Sequence, residues 1–263
     1  MSTQNAYQAI EMTIKGHVAT ILLNRPATLN AFSTKMRTEL LDAFTVADNN
    51  DEVRVVVFGS TGKAFSSGAD LTEGVGAQKT IEDQIMREYA PILDKMASLK
   101  KPVIAAVPGV MAGIGAAFAM NSDLIMMADT GSMLMAFTNI GLVPDGGASW
   151  MLLRHLGYQR AFQLVVEGGR LSAHDCLEAG IVNKLVPADQ LMDEVQSWAE
   201  ELAQRAPVAL RESKQLLRNA AALTYSQTVA LEAKTQNICI ATQDAAEAVQ
   251  AFMEKRPAVF KGK

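Results

Sequence analysis

Two glycine-containing segments have the residue types needed to bind a negatively charged oxygen through backbone N–H groups. The first, Gly113-Ile114-Gly115, separates the apolar run 103–107 from an apolar, helix-like segment that begins at Ala116. A strand, a glycine turn and a helix N-terminus leave N–H groups without internal partners, and the helix dipole adds positive potential. The second segment, Ser66-Ser67-Gly68-Ala69-Asp70, follows the apolar run 53–58. Two such loops after successive buried strands could converge on one phosphate, carboxylate or developing oxyanion.

The segment around Gly113 also allows simpler interpretations. Residues 103–120 are uncharged over eighteen positions, the lower limit for a membrane-spanning helix, but Pro108 and three glycines interrupt them. A dinucleotide-binding G-x-G-x-x-G motif fails because Phe118 stands at its third glycine. The glycines could also serve only the close packing of a helix on a sheet. This segment alone does not separate that structural role from oxyanion binding.

The order of apolar segments predicts repeated strand–helix units, which would place both glycine loops after buried strands. We predict strands at 9–15, 17–23, 53–58, 103–107 and 124–128, and helices at 34–49 and 81–99. From Met151 onward the pattern is helical. The predicted helices there are 188–204, 208–221, 226–240 and 245–254. Their surplus apolar faces predict packing on a further surface.

Composition indicates a soluble globular protein. The 263 residues fit one large domain or a core with an extension, and 49% of them are apolar. A net charge of −4 and a pI of about 5.5 argue against a nucleic-acid surface. Cys176 and Cys239 give neither a disulfide framework nor metal-ligand spacing, so we predict no metal site. The N-terminus lacks a hydrophobic signal core, which predicts a cytoplasmic protein without membrane attachment.

Six segments, in chain order and spread over nearly the whole chain, resemble the crotonase (enoyl-CoA hydratase/isomerase) superfamily. They are LNRPATLNAFS (23–33), GKAFSSGADL (62–71), KPVIAAVPGVMAGIGAAFAMNSDL (101–124), NIGLVPDGGASWMLLRHLG (139–157), RLSAHDCLEAGIVNKLV (170–186) and AFMEKRPAVFKGK (251–263). The resemblance implies an α/β fold of ββα units wound into a spiral over residues 1–187. A helical region, 188–263, is implied to build a homotrimer or hexamer and to contact CoA. The implied substrate is an acyl-CoA thioester, with coenzyme A present only as part of it.

The resemblance also implies roles for individual residues. The backbone N–H groups of Ala69 and Ile114 are implied to hold the thioester oxygen as an enolate forms. Superfamily members often have glycine at the position of Ile114, so we expect its side chain to narrow the pocket. Hydratases of the superfamily use two glutamates, but the corresponding residues here are Ala117 and Phe137, which cannot transfer a proton. Asp145 is the remaining acid–base candidate and matches an acidic residue of branches that shift double bonds.

Two further groups of residues are implied to contact CoA. Those at the adenine-binding edge are Arg25, Ala64, Phe65, Ser67, Asp70 and Leu71. In the C-terminal tail, Phe260 and Lys261 are implied to lie near the adenine and the phosphates. Trp150 and the 81–99 helix are candidates for lining the acyl pocket.

One carboxylate is chemically sufficient for an isomerase. Moving a double bond from C3–C4 to C2–C3 removes a proton from C2 and returns one at C4, provided that an oxyanion hole stabilises the dienolate. Apolar residues close to Asp145 in sequence, namely Phe137, Ile140, Leu142 and Val143, predict a raised pKa. An ordinary Pro-Asp-Gly turn is the structural alternative for Asp145.

These residues favour a CoA-dependent enoyl isomerase with Asp145 as the acid–base group. The enzymatic alternatives are an atypical enoyl-CoA hydratase and a thioester hydrolase or dehalogenase that uses Asp145. The alternative outside enzymes is a non-catalytic crotonase-fold protein that binds RNA or a protein partner, although the acidic pI weighs against RNA.

Overall fold

The computed structural model describes residues 7–263, so the first six residues of the segment searched for a signal core lie outside the described residues. The strands in this range are β1 (Ile10–Lys15), β2 (Val18–Leu23), β3 (Val55–Ser60), β4 (Val103–Val107), β5 (Val110–Ala112), β6 (Leu124–Ala128), β7 (Ser132–Leu134), β8 (Arg170–Ser172) and β9 (Lys184–Val186). The α-helices are α1 (Thr34–Asn49), α2 (Ile81–Gln84), α3 (Ala90–Ser98), α4 (Ile114–Met120), α5 (Ala148–Val166), α6 (Ala173–Glu178), α7 (Leu191–Ala203), α8 (Pro207–Ala220), α9 (Tyr225–Ile240) and α10 (Gln243–Glu254). Within the described range, none of the helices has the length and apolar composition needed to cross a membrane.

The central sheet has six strands in the order β1-β2-β3-β4-β6-β9. β1 and β2 form the predicted antiparallel hairpin, and every other neighbouring pair is parallel. The starts of the parallel strands therefore meet at one edge, the amino edge, and their ends meet at the opposite edge, the carboxyl edge. A smaller sheet, β5-β7-β8, contains the short strand that follows β4. The mixed α/β fold agrees with the sequence-based expectation.

Both faces of the central sheet are covered, which explains the unbroken apolar sequence of its strands. Val56 and Phe58 of β3 belong to the main core, together with buried residues of α1 and α3. Val55 and Val57 point to the other face and pack in a second cluster with buried residues of α7. Alternate residues of one strand thus fill two separate apolar layers.

The predicted secondary structure is wrong at several short elements. β5, β7, β8 and β9 have three residues each, too few to produce an apolar period, and the sequence pattern does not predict them. β8 and β9 also interrupt the part after Met151 that we expected to be helical. The predicted 81–99 helix is divided by a π-helical turn, Ile85–Tyr89, which joins α2 to α3.

The last helices are attached at the amino edge of the sheet. Asp123 precedes β6 and accepts a hydrogen bond from the Val103 N–H (2.9 Å). Two cations of α8, Lys214 and Arg218, pair with the same carboxylate at 2.8 and 2.9 Å. α7 packs on the sheet, whereas α9 has no buried residue. The division into 1–187 and 188–263 stays a prediction.

Candidate active site

The two glycine loops lie against each other beyond the carboxyl edge of the central sheet. Ser66 forms a parallel bridge with Met111 of β5, and its carbonyl accepts a hydrogen bond from the Ala112 N–H (2.9 Å). Gly68 and Gly113 approach so closely that a Cβ on Gly113 would lie 3.8 Å from the Gly68 Cα. Both glycines have positive φ, +105° and +53°, a conformation that other residues adopt only with strain. The two loops therefore converge on one place.

The backbone N–H and carbonyl of Ala69 point away from Phe32, the residue with which Ala69 is paired. The Phe32 N–H donates to the Gly68 carbonyl (2.8 Å), and the Asp70 N–H donates to the Phe32 carbonyl (3.2 Å). Phe32 and Ala69 thus form a parallel bridge in which Phe32 bonds only the residues that flank Ala69. The N–H of Ala69 consequently points away from Phe32 and can serve another acceptor.

Ile114 is the first residue of α4, and its N–H belongs to the turn that no helix satisfies internally. Gly113 is the N-cap without a side-chain cap, and intrahelical bonding begins with the Ala116 N–H, which donates to the Gly113 carbonyl (3.0 Å). Gly115 presses this helix start onto the other loop, since a Cβ there would lie 2.6 Å from the Ser66 Cβ. The structure thus brings Ala69 and Ile114 together, while their role as oxyanion donors stays a prediction.

Asp145 lies in the turn before α5, and its carboxyl oxygen Oδ1 is buried with no hydrogen-bond partner among residues 7–263. Burial removes hydration from the charged form and raises the pKa of Asp145 from 3.8 to about 6. The predicted direction of this pKa shift is confirmed. A carboxyl group with a pKa this close to neutrality can both take and return a proton.

The apolar surroundings of Asp145 differ from those expected from its sequence neighbours. Ile140, Leu142 and Val143 are exposed, and Val143 keeps 77% of its surface, so this part of the prediction is wrong. Phe137 alone of the four is buried. These three exposed residues point outward, whereas the residue after Asp145, Gly146, packs against Leu93 of α3 and Ile114 of α4.

Arg37, a residue for which the sequence gives no functional signal, connects Phe32, which is paired with Ala69, to the π-helical turn that carries Glu88 and Tyr89. Its side chain is 3% exposed. Its Nη1 donates to the Phe32 carbonyl (2.8 Å) and to the Tyr89 hydroxyl (3.1 Å). Its charge is balanced by Glu88, whose Oε2 lies 2.6 Å from Nη2. Arg37 therefore fixes Phe32, which in turn fixes the residues on both sides of Ala69.

Tyr89 closes the π-helical turn and is fully buried between Phe32 and Phe118. Burial raises the pKa of Tyr89 to about 12, and the negative charge of Asp145 contributes in the same direction. The Tyr89 hydroxyl is therefore neutral at physiological pH and electrostatically coupled to Asp145.

The predicted adenine-binding edge contains an ion pair between Arg25 and Asp70. Arg25 Nη1 lies 2.8 Å from Asp70 Oδ2 and also donates to the Ala31 carbonyl (2.7 Å). Hydrogen bonds from Thr72 and Arg25 lower the pKa of Asp70. Ser67 is joined to the preceding loop through its N–H, which donates to the Leu29 carbonyl (2.9 Å).

The other residues predicted at this edge differ in accessibility. Leu71 is exposed, whereas Ala64 and Phe65 are buried behind the loop. The Ala64 carbonyl accepts from Asn30 (2.9 Å), and the Phe65 N–H donates to the Val110 carbonyl (3.0 Å). Ala64 and Phe65 thus support the surface from behind. CoA binding by the six residues stays a prediction.

The C-terminal tail does not meet this edge within one chain. Lys261 lines a cleft at the amino edge together with His17, Arg54 and Lys101. These three residues come shortly before β2, β3 and β4, respectively. The tail is held there because the Lys261 N–H donates to Asp244 (2.7 Å). Arg25 and Asp70 follow strand ends at the carboxyl edge. Phe260 and Lys261 therefore lie apart from the CoA edge of their own chain.

Trp150 lies near the start of α5 and is half exposed. The guanidinium carbon of Arg154 lies 3.4 Å from the centroid of its ring. The indole therefore has one covered face and one available for a ligand, and its role in lining an acyl pocket stays a prediction.

Comparisons with known proteins agree with this geometry. The sequence profile of the family described as enoyl-CoA hydratase/isomerase matches residues 13–263. A 1,2-epoxyphenylacetyl-CoA isomerase of Escherichia coli (strain K12) is 34% identical over 94% of this chain and 95% of its own length. A probable enoyl-CoA hydratase of Rhodobacter capsulatus is 34% identical over 98% of this chain and 100% of its own length.

A solved structure extends the similarity to three dimensions. An enoyl-CoA hydratase subunit I from Geobacillus kaustophilus HTA426 matches with a TM-score of 0.92 and 33% identity, covering 98% of this chain and 100% of the other. The chain therefore belongs to the enoyl-CoA hydratase/isomerase family, within the crotonase superfamily of enzymes that act on CoA thioesters.

Proposed function

We propose that the protein moves a double bond within an enoyl-CoA thioester, with Asp145 as the single acid–base group. The observation that carries this proposal is the Asp145 carboxyl, which has a buried, unpartnered oxygen and a pKa raised to about 6. The positions of the two glutamates implied for a hydratase hold Ala117 and Phe137, both buried. A single proton-transferring group near the two loops supports proton shuttling rather than water addition.

The reaction follows from these groups. The Asp145 carboxylate takes the proton from C2 of a 3-enoyl-CoA, and the electron pair of that C–H bond moves into a dienolate. The N–H groups of Ala69 and Ile114 hold the negative thioester oxygen of this dienolate. The dienolate then takes the same proton from Asp145 at C4, which leaves the double bond at C2–C3. Asp145 returns to the carboxylate, so protons and electrons balance.

A panel of 2-enoyl- and 3-enoyl-CoA substrates tests the proposal. Conversion of 3-enoyl- to 2-enoyl-CoA should be much faster than formation of 3-hydroxyacyl-CoA. Fast hydration of crotonyl-CoA would favour an atypical hydratase, and release of free CoA would favour a thioester hydrolase. Halide release from a halogenated acyl-CoA would indicate a dehalogenase. No turnover of any substrate, with CoA still bound, would favour a non-catalytic binding protein.

The rate of isomerisation should depend on pH through Asp145. The carboxylate is the proton acceptor, so kcat/KM should rise with pH, reach half its maximum near the pKa of about 6 and level off above it. A group with an ordinary aspartate pKa would instead give a flat profile above about pH 5. Initial rates between pH 4.5 and 8, each normalised to the folded fraction, measure the midpoint.

CoA recognition by the tail should be electrostatic. We expect Lys261→Ala to weaken binding of free CoA by up to about fivefold, about 1 kcal/mol, and to weaken it less at high salt. The affinity for an acyl-pantetheine, which lacks the nucleotide, should change little. Titration of both ligands measures the difference, and Lys255→Ala in the same tail is the control. Equal losses for both ligands would show that Lys261 does not bind the nucleotide phosphates.

We expect a homo-oligomer, trimer or hexamer, because α8–α10 expose large apolar side chains. Tyr225 and Phe252 are each 85% exposed. A second copy would also allow a tail at the amino edge of one chain to reach the CoA edge of another. Sedimentation at micromolar concentration should show an assembly that Phe252→Asp weakens and the neighbouring Gln250→Asp does not. A stable wild-type monomer would contradict this expectation. A cytoplasmic location likewise stays a prediction.

A further inference from the structure

We propose that Arg37 is a positioning residue of the oxyanion site, because it fixes the Phe32 backbone that holds the residues on both sides of Ala69. The inference deepens the proposed function and rests on it, since it takes the Ala69 N–H as one of the two oxyanion donors. The Arg37 side chain is 3% exposed, so it acts through other residues and not on the substrate itself.

The carbonyl of Phe32 is shared by two donors. Arg37 Nη1 donates to it at 2.8 Å, and the Asp70 N–H donates to it at 3.2 Å. The bond from the guanidinium is charge-assisted and is therefore the stronger of the two. On its other side, the Phe32 N–H donates to the Gly68 carbonyl (2.8 Å). Because Gly68 and Asp70 flank Ala69, the direction of the Ala69 N–H depends on where Arg37 holds Phe32.

The side chain of Phe32 contacts the element that carries the second predicted donor. Its ring stacks on that of Phe118, with the ring centroids 4.6 Å apart and an angle of 25° between the planes. Phe118 belongs to α4 and lies about one helical turn after Ile114. Phe32 thus joins the loop of Ala69 to the helix that begins with Ile114, so fixing Phe32 fixes the two donors relative to each other.

Arg37 also holds the chain that follows Ala69. Its Nη2 donates to the Thr34 hydroxyl (2.9 Å). The N–H and the hydroxyl of Thr34 in turn donate to Glu73 Oε2, at 2.7 and 2.9 Å. Glu73 lies in the short helical turn directly after Asp70 and Leu71. The guanidinium therefore restrains the oxyanion loop at Phe32 and, through Thr34, at the end of the following turn.

The structural alternative is an ion pair that only ties α1 to the π-helical turn. For that purpose two nitrogens suffice, since Nε donates to Glu88 Oε2 (2.7 Å) and Nη2 lies 2.6 Å from the same oxygen. The third nitrogen, Nη1, is directed to the Phe32 carbonyl and the Tyr89 hydroxyl. A buried ion pair contributes little net stability compared with an apolar pair of similar volume. The two roles therefore predict different results when the pair is replaced.

The test combines Arg37→Met with Glu88→Gln, so that no unpaired charge stays buried. The probe is butanoyl-CoA labelled with ¹³C at the thioester carbonyl, whose stretching frequency is measured by infrared difference spectroscopy. Donors at an oxyanion site polarise the carbonyl and lower this frequency on binding. We expect the double variant to lose about half or more of the wild-type lowering, and its affinity for butanoyl-CoA should change little. Its kcat for isomerisation should fall at least about tenfold, because a misplacement of about 1 Å can cost on the order of a hundredfold.

Two further variants control for loss of folding. Glu39→Gln changes another buried acidic residue of α1, one whose carboxylate accepts the Gln8 and Ala9 N–H groups at 2.9 and 2.8 Å. It should keep the wild-type frequency and kcat even where it lowers the free energy of unfolding. If the double variant does not fold, Arg37→Lys decides. Lysine keeps a charge beside Glu88 but lacks the planar fork that also reaches Phe32, so part of the lowering should be lost.

The outcomes separate this inference from the proposed function. A folded Arg37 variant with the carbonyl frequency of wild type would overturn the inference, as would an equal change in Glu39→Gln. Wild-type protein that binds butanoyl-CoA without lowering the frequency would overturn it as well. Absence of double-bond migration in wild type would contradict the proposed function, whereas the carbonyl frequency would still show whether Arg37 positions the oxyanion donors.

Discussion

Replacement of Asp145 by asparagine should slow double-bond migration by about a hundred- to ten-thousand-fold, the range that a positioned acid–base group contributes. Asparagine has nearly the same size and can occupy the same turn, but it cannot take a proton from C2. The affinity for CoA should change little, because Arg25 and Asp70 of the predicted CoA edge lie in other loops. Single-turnover rates and CoA titration measure the two effects separately.

The stability of the same variant provides an independent check. The pKa of Asp145 is about 6 in the folded protein and 3.8 as the ordinary value. Between these pH values the folded protein binds more protons than the unfolded chain, so wild-type stability falls as pH rises. This loss amounts to roughly 2–3 kcal/mol between about pH 4 and 7, and Asp145→Asn should lack it. Urea unfolding of both proteins at several pH values measures the difference.

A control distinguishes this behaviour from that of any aspartate. Asp94 of α3 is exposed, so Asp94→Asn should retain both the activity and the pH dependence of stability of wild type. If Asp145→Asn isomerises substrate at the wild-type rate, Asp145 is only a turn residue and another group must handle the proton. If activity falls without the change in pH dependence, Asp145 is not protonated with a raised pKa in the folded state.

The sequence predicted those parts of the fold that depend on interactions between residues close together in the chain. Ser33 accepts a hydrogen bond from the Met36 N–H (3.2 Å) as the expected N-cap of α1, and the hairpin around Gly16 has the expected antiparallel register. β9 could not be predicted in this way. Its three residues, Lys184–Val186, join the sheet because β6 supplies an unpaired edge far away in sequence.

In the candidate site, too, local features were predictable and distant packing was not. The glycines at 68 and 113 predicted tight turns, and the two loops converge. The side chains that pack on Gly146, next to Asp145, however, are Leu93, Ile114 and Ala117, which are 29 to 53 positions away in the printed sequence. Apolar residues next to Asp145 in sequence point outward instead. Spacing along the chain reports on a residue's own element, and it carries no information about which distant element packs on a turn.

Removal of the Ile114 N–H should lower kcat by about a hundred- to a thousand-fold, about 3–4 kcal/mol, if this group is an oxyanion donor. Ile114→Pro removes the N–H, and its fixed φ suits the first position of α4, where proline is well tolerated. The matched control is Ile114→Val, because it keeps the N–H and also loses the Cδ1 that packs on Gly146. The difference between the two variants therefore isolates the donor from the side chain.

Valine is a better control than glycine at this position. Ile114→Gly would place three glycines in a row, from 113 to 115, and would empty the space beside Gly146. Its effect would therefore combine a looser turn with the loss of side-chain packing on Gly146. Circular dichroism and gel filtration should show that the proline and valine variants are equally folded. A kcat for Ile114→Pro within tenfold of that for Ile114→Val would mean that the thioester oxygen does not depend on this N–H, and the oxyanion site would then have to be assigned to Ala69 with a different partner.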